Sequence, residues 1–116
     1  MTNKILICDD EENIRETIKL ILGDFYELFL VSSGEQALYT LENNQDIKLC
    51  LLDIKMPKAS GLDVLTEIKS KFPQMKIIMV TGYKSTETTS EADASKYITK
   101  PFKSEYILNT VKKSLG

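Results

Sequence analysis

Four uninterrupted apolar runs punctuate the chain, Ile5–Cys8, Leu28–Val31, Leu49–Leu52 and Ile77–Val80, and a shorter pair, Tyr97-Ile98, follows them. Continuous runs of this length, in place of strict alternation, belong to strands buried on both faces, as in a parallel sheet covered by helices on either side. Between the runs the apolar period changes to that of a helix. From Glu12 to Leu22 the residues Ile14, Ile18, Ile21 and Leu22 fall three or four apart, and Glu11, Glu12 and Glu16 suit the positive end of a helix dipole. Ser33 predicts an N-cap with Gln36 as its capping-box partner, opening a helix that carries Ala37, Leu38 and Leu41 and ends at Asn43-Asn44. Gly61 opens a third helix through Leu62, Leu65, Ile68 and Phe72, which Pro73 stops. The last helix, Ser104–Leu115, presents Tyr106, Ile107, Leu108, Val111 and Leu115, with Lys112 and Lys113 at the end where a dipole favours cations. Between Thr81 and Lys96, threonines and serines stand where an apolar stripe would be, so a fourth helix there is predicted to be short or irregular. The alternation of elements predicts an α/β fold, a doubly wound parallel sheet of five strands in a single domain spanning 1–116.

Composition narrows the function. Fifteen basic residues against seventeen acidic ones give a net charge of −2, which excludes a basic footprint for nucleic acid or an anionic membrane surface. No histidine is present, which removes Ser-His-Asp triads, Cys-His pairs and most zinc sites. Cys8 and Cys50 lie inside apolar runs, where a thiol packs as a small hydrophobe. No apolar run is long enough for a signal-peptide core or a membrane span, and the expected location is the cytoplasm. Any chemistry must use carboxylates, lysine and hydroxyls.

In a doubly wound sheet, ligands bind in the crevice outside the carboxyl ends of the strands, so the strand ends carry the chemistry. The first run ends in Asp9-Asp10, the third in Asp53, the fourth in Thr81 and the fifth in Lys100-Pro101. Carboxylates crowded onto one edge repel unless a cation or a shared proton offsets them. Hard oxygen donors in small number, beside an incoming phosphoryl group, suit magnesium. A carboxylate can itself accept the phosphoryl group, with metal, lysine and hydroxyl stabilising the charge on its equatorial oxygens.

The motifs DD at 9–10, LLDIKMP at 51–57, SG at 60–61, VTG at 80–82 and KYITKPF at 96–102 occur in this order. With them the chain resembles, over nearly its whole length, the receiver domain of bacterial two-component response regulators, of the single-domain, chemotaxis-regulator-like kind. The resemblance implies a flavodoxin-like (βα)5 fold with strand order 2-1-3-4-5. It implies that Asp53 is the phosphoacceptor and that Asp10, Asp53 and the main-chain carbonyl of Lys55 bind magnesium, for which manganese is an expected substitute, with Asp9 acting mainly through a coordinated water. Thr81 and Lys100 would contact the phosphoryl group, Thr81 and Tyr97 would form the switch, and the Lys100-Pro101 bond would be cis. Ile14, Pro101 and Phe102 are expected to touch a sensor histidine kinase or a phosphotransfer protein. The implied role is a signalling phosphoacceptor in a phosphorelay, catalysing only its own phosphotransfer and autodephosphorylation, whose altered surface binds a downstream protein partner, with no direct contact to nucleic acid or membrane. The sequence departs from the family pattern at Asp93-Ala94, where most receivers have Gly-Ala, and in an interval from Thr81 to Lys100 about three residues short by family habit.

Other classes fit less well. An aspartyl-phosphate phosphatase of the best-known fold needs a second acid two residues after its nucleophile, where Lys55 stands. The glycines at 23, 34, 61, 82 and 116 make neither a dinucleotide fingerprint nor a P-loop. An adaptor that never accepts phosphate would have no need of the Asp10, Asp53, Thr81 and Lys100 set.

Overall fold

The computed structural model describes residues 3–54, 61–82 and 96–115. The described elements are β1 (Lys4–Cys8), α1 (Glu12–Leu22), β2 (Glu27–Val31), α2 (Gly34–Asn43), β3 (Ile47–Asp53), α3 (Gly61–Lys71), β4 (Lys76–Thr81), β5 (Lys96–Thr99) and α4 (Ser104–Leu115). The short or irregular helix expected between Thr81 and Lys96 lies outside the described residues. All strand pairings are parallel, and the sheet order is β2-β1-β3-β4-β5. The chain therefore steps outward from β1 to one edge, returns to the other side of β1 with β3, and continues outward. The strand order reverses beside β1, so the ends of β1 and β3 flank the crevice where such sheets place their ligands.

Alternation along each strand sorts the core into two halves. Leu6, Cys8, Cys50, Leu52, Ile77 and Met79 face Ala37 and Leu41 of α2 and Val64, Leu65 and Ile68 of α3. Ile5, Ile7, Leu49, Leu51, Ile78, Val80 and Ile98 face Ile18 and Leu22 of α1 and Ile107 and Val111 of α4. Residues of either parity are apolar because both faces are covered, which is why the central strands read as unbroken runs. The expectation of full burial fails in β2: Leu28, Phe29, Leu30 and Val31 are only half-buried. β2 is an edge strand, and its run reports apolar contact on both faces without the shielding of a second neighbour.

The helix ends show how local chemistry fixes the frame. Ser33 caps α2, its hydroxyl accepting from the Gln36 N–H at 3.2 Å. The return bond of the predicted capping box is displaced by one residue: the Gln36 side-chain oxygen accepts from the N–H of Ser32, not of Ser33, at 2.8 Å. At the end of α3 the Phe72 N–H still donates to the Ile68 carbonyl at 2.7 Å, and Pro73, with no N–H, cannot extend the ladder. The Lys76 ammonium donates to the Ser114 carbonyl at 2.6 Å, tying the last turn of α4 to the start of β4. Among the described residues no helix is long and apolar enough to cross a membrane.

Gly61 joins β3 to α3 at close quarters. Its N–H donates to the Ile54 carbonyl at 2.7 Å, and a Cβ at this position would overlap the Asp53 carbonyl oxygen and stand 2.7 Å from the Ile54 Cα. Alanine ordinarily favours a helix by about 1 kcal/mol over glycine. Here the overlap is with backbone, so the strain of about 1–3 kcal/mol typical of overpacking should outweigh that gain. Gly61→Ala is therefore expected to lower the urea midpoint with the slope unchanged; an equal or higher midpoint would show that the junction yields freely.

Candidate functional site

β1 and β3 deliver Asp9 and Asp53 to the same edge of the sheet. Asp53 ends β3 and is 3% exposed; Asp9 follows β1 and is 2% exposed. Asp10, one residue on, is exposed. One carboxylate oxygen of each of Asp9, Asp10 and Asp53 lies within 4.8 Å of the others. The sequence-predicted acidic set is thus brought together, with two members sunk into the sheet edge and one at the surface.

Lys100 supplies the compensating charge. After β5 the chain passes through a cis Lys100-Pro101 bond. The Lys100 ammonium stands 3.1 Å from Asp9 Oδ2, 3.5 Å from Asp53 Oδ1 and 3.7 Å from Glu11 Oε1. The lysine side chain is only 15% exposed, so these pairs act in a medium of lower effective dielectric than water. Burial pulls the Lys100 ammonium toward the neutral form, but the hydrogen bond and charge of Asp9, with Asp53 and Glu11 behind it, outweigh that and raise its pKa above the ordinary 10.5.

The Asp9-Asp10 pair has a conventional structural reading as the start of a loop before a helix, and half of it is realised. Asp9 Oδ1 accepts from the Glu11 N–H at 2.9 Å. Glu11, not either aspartate, occupies the N-cap position of α1, and its side chain makes no capping bond. Two further residues belong to the site without having been expected there. Glu11 reaches Lys100, and Arg15 Nη1 donates to the Asp9 main-chain carbonyl at 2.7 Å. Their only sequence signals are spacing from Asp9 and, for Arg15, being the sole arginine.

The other candidate residues are placed as follows. Thr81 ends β4 and pairs in register with Thr99, beside the Asp53↔Val80 pair of the neighbouring ladder. Tyr97, opposite Met79 in β5, is half-buried against the α2–α3 side of the core. Ile14 and Phe102 are half-buried and pack against the α1–α4 side, and Pro101 is exposed between Lys100 and Phe102. Lys55 lies outside the described residues. Cys8 and Cys50 are buried thiols. Burial, reinforced by Asp9, Asp53 and Asp10, pushes the Cys8 thiol up to about 12, and burial raises Cys50 well above its ordinary value, as suits packing groups and not nucleophiles.

The sequence profile of the response regulator receiver domain matches residues 5–112. The chain belongs to the response regulator receiver domain family. The transcriptional regulatory protein SrrA of Staphylococcus aureus is 36% identical over 117 residues, covering 97% of this chain and 47% of SrrA, so this receiver spans about half the length of that curated relative. A CheY-like response regulator receiver domain protein from Methanospirillum hungatei superposes with a TM-score of 0.91 at 35% identity, over 99% of this chain and 94% of that one. The response regulator TrrA of Thermotoga maritima, solved in complex with Mg(2+)-BeF, gives a TM-score of 0.89 at 37% identity, over 97% of this chain and 99% of TrrA. The receiver therefore functions in two-component phosphorelay signalling.

A pKa raised in the fold means that Lys100 contributes its full stabilisation below about pH 10.5 and loses it as the pH rises through the folded value. Removing one partner of a mostly buried charge cluster should cost about 1–3 kcal/mol. Lys100→Met is thus expected to be less stable than the wild-type receiver at pH 8. In urea titrations from pH 8 to 11 the gap should narrow above about pH 10.5, whereas a constant gap would mean that packing of the stem, not the charge, stabilises the fold.

Proposed function

We infer that Asp53 is the phosphoacceptor of this receiver. The observation that carries the reading is the grouping of its carboxylate with those of Asp9 and Asp10 at the switch point of the sheet, with the Lys100 ammonium 3.5 Å from Asp53 Oδ1. The donor set is made of hard oxygens, few in number and with an exposed member, and fits magnesium or manganese. Asp10, Asp53 and the main-chain carbonyl of Lys55 would hold the ion, with Asp9 acting through water. Once bound, such an ion supplies charge neutralisation for the transferring phosphoryl oxygens.

In the transfer, the bond from phosphorus to the imidazole nitrogen of a phosphohistidine breaks while a bond from phosphorus to an Asp53 oxygen forms. The electron pair stays on the imidazole nitrogen, which takes a proton from solvent. Lys100 follows the charge, exchanging an Asp53 oxygen for a phosphoryl oxygen, and Thr81 contacts a second phosphoryl oxygen. Tyr97 then moves with Thr81, altering the surface around β5. Hydrolysis by water releases inorganic phosphate and restores the Asp53 carboxylate, so the domain catalyses its own phosphorylation cycle and acts on no separate substrate. Ile14, Pro101 and Phe102 would touch a histidine kinase or phosphotransfer protein, in the cytoplasm. Output is binding of a downstream protein.

Incubation with acetyl phosphate and magnesium should add one labile phosphoryl group by intact mass. The gain should be absent from Asp53→Asn and abolished by a chelator. Acceptance by Asp53→Asn at the wild-type rate would remove Asp53 from the role, and transfer indifferent to chelation would remove the metal.

A further inference from the structure

Asp9 has every polar atom engaged. Its N–H donates to the Val31 carbonyl at 3.1 Å, its carbonyl accepts from Arg15 Nη1 at 2.7 Å, Oδ1 accepts from the Glu11 N–H at 2.9 Å, and Oδ2 faces Lys100 at 3.1 Å. Asp10 is held differently. Its carboxylate is exposed, and among the described residues no hydrogen bond or ion pair fixes it, yet it lies within reach of the Asp9 and Asp53 oxygens. Its placement must therefore come from the backbone that delivers it.

That backbone is the peptide unit joining Asp9 to Asp10. The unit is planar, so orienting its carbonyl also sets the direction in which the Asp10 Cα departs. Arg15 holds this carbonyl from the second turn of α1, whose own ladder is anchored there by the Arg15 N–H donating to the Glu11 carbonyl at 3.2 Å. The Val31 carbonyl grips the preceding N–H, so the loop is fixed on both sides of Asp9. The geometry points to Arg15 as a positioning residue that presents the Asp10 carboxylate to a divalent cation through the Asp9-Asp10 peptide. The cation part of this inference rests on the magnesium reading given above.

Charge and positioning predict opposite signs, which makes the role testable. A positive guanidinium near a cation site repels the cation, so losing it by itself would tighten magnesium binding. If Arg15 instead presents Asp10, its loss should weaken binding by about tenfold, the lower end of what removal of an outer partner of a metal ligand typically costs. Isothermal titration of magnesium into the wild-type receiver, Arg15→Met and Arg15→Gln tests this. Both replacements are too short or too apolar to hold the carbonyl, and either one that folds is sufficient. Thermal melts without magnesium, and metal-free amide spectra of the same proteins, complete the experiment. The expected result is a dissociation constant raised about tenfold, with the Asp10 and Glu11 amide signals shifted and those of β3 unmoved. Unchanged or tighter magnesium binding would overturn the role, as would unshifted Asp10 and Glu11 amides. A lowered melting temperature with unchanged affinity would mark Arg15 as merely structural and overturn it too. No magnesium binding by the wild-type protein would overturn the metal reading itself, and the metal-free amide spectra would still decide whether Arg15 orients the loop.

Discussion

Like charges crowded at the end of a sheet are the constraint on which the rest of this structure turns. Asp9 and Asp53 are almost wholly buried, and burying a carboxylate is costly unless it is paired and hydrogen-bonded. Lys100 is the shared counter-charge that makes the arrangement tolerable. Serving both carboxylates requires β1, β3 and the turn after β5 to converge, which the parallel order with its reversal beside β1 provides. The apolar layers above and below the sheet hold that convergence in place.

The resting site is closed upon itself in charge but open in geometry. Lys100 bridges two aspartates and approaches a glutamate, while Asp10 remains exposed. A small cation reaching Asp10 therefore meets a site whose buried members are already oriented. Preorganisation of this kind means that the Asp9 and Asp53 carboxylates need not be rearranged when an incoming charge arrives.

Much of this was legible in the chain because it is written in periods and strand ends. The runs at Ile5–Cys8 and Leu49–Leu52 locate the central strands, since burial on both faces removes polar residues from either parity. The spacing of Ile14, Ile18 and Leu22 locates α1, whose observed bounds are those expected. Less legible were features that depend on neighbours in space. The half-exposure of β2 follows from its edge position, which no local run encodes. The one-residue displacement of the α2 capping bond depends on a side-chain rotamer. The reach of Arg15 to a main-chain carbonyl has no periodic signature at all, because the acceptor is a group that every residue possesses.

The division of the interior into two halves has an evolutionary consequence. A single layer of backbone separates the α1–α4 packing from the α2–α3 packing, and the buried apolar side chains fall into two separate clusters, one on each face. Substitutions on the two sides should therefore accumulate with nearly additive effects, whereas a change at Val64 or Ile68 would select compensating changes at Ala37 or Leu41 on its own side. One half of such a protein can drift toward new surfaces while the other keeps its ancestral packing, provided the residues at the carboxyl edge of the sheet stay in place.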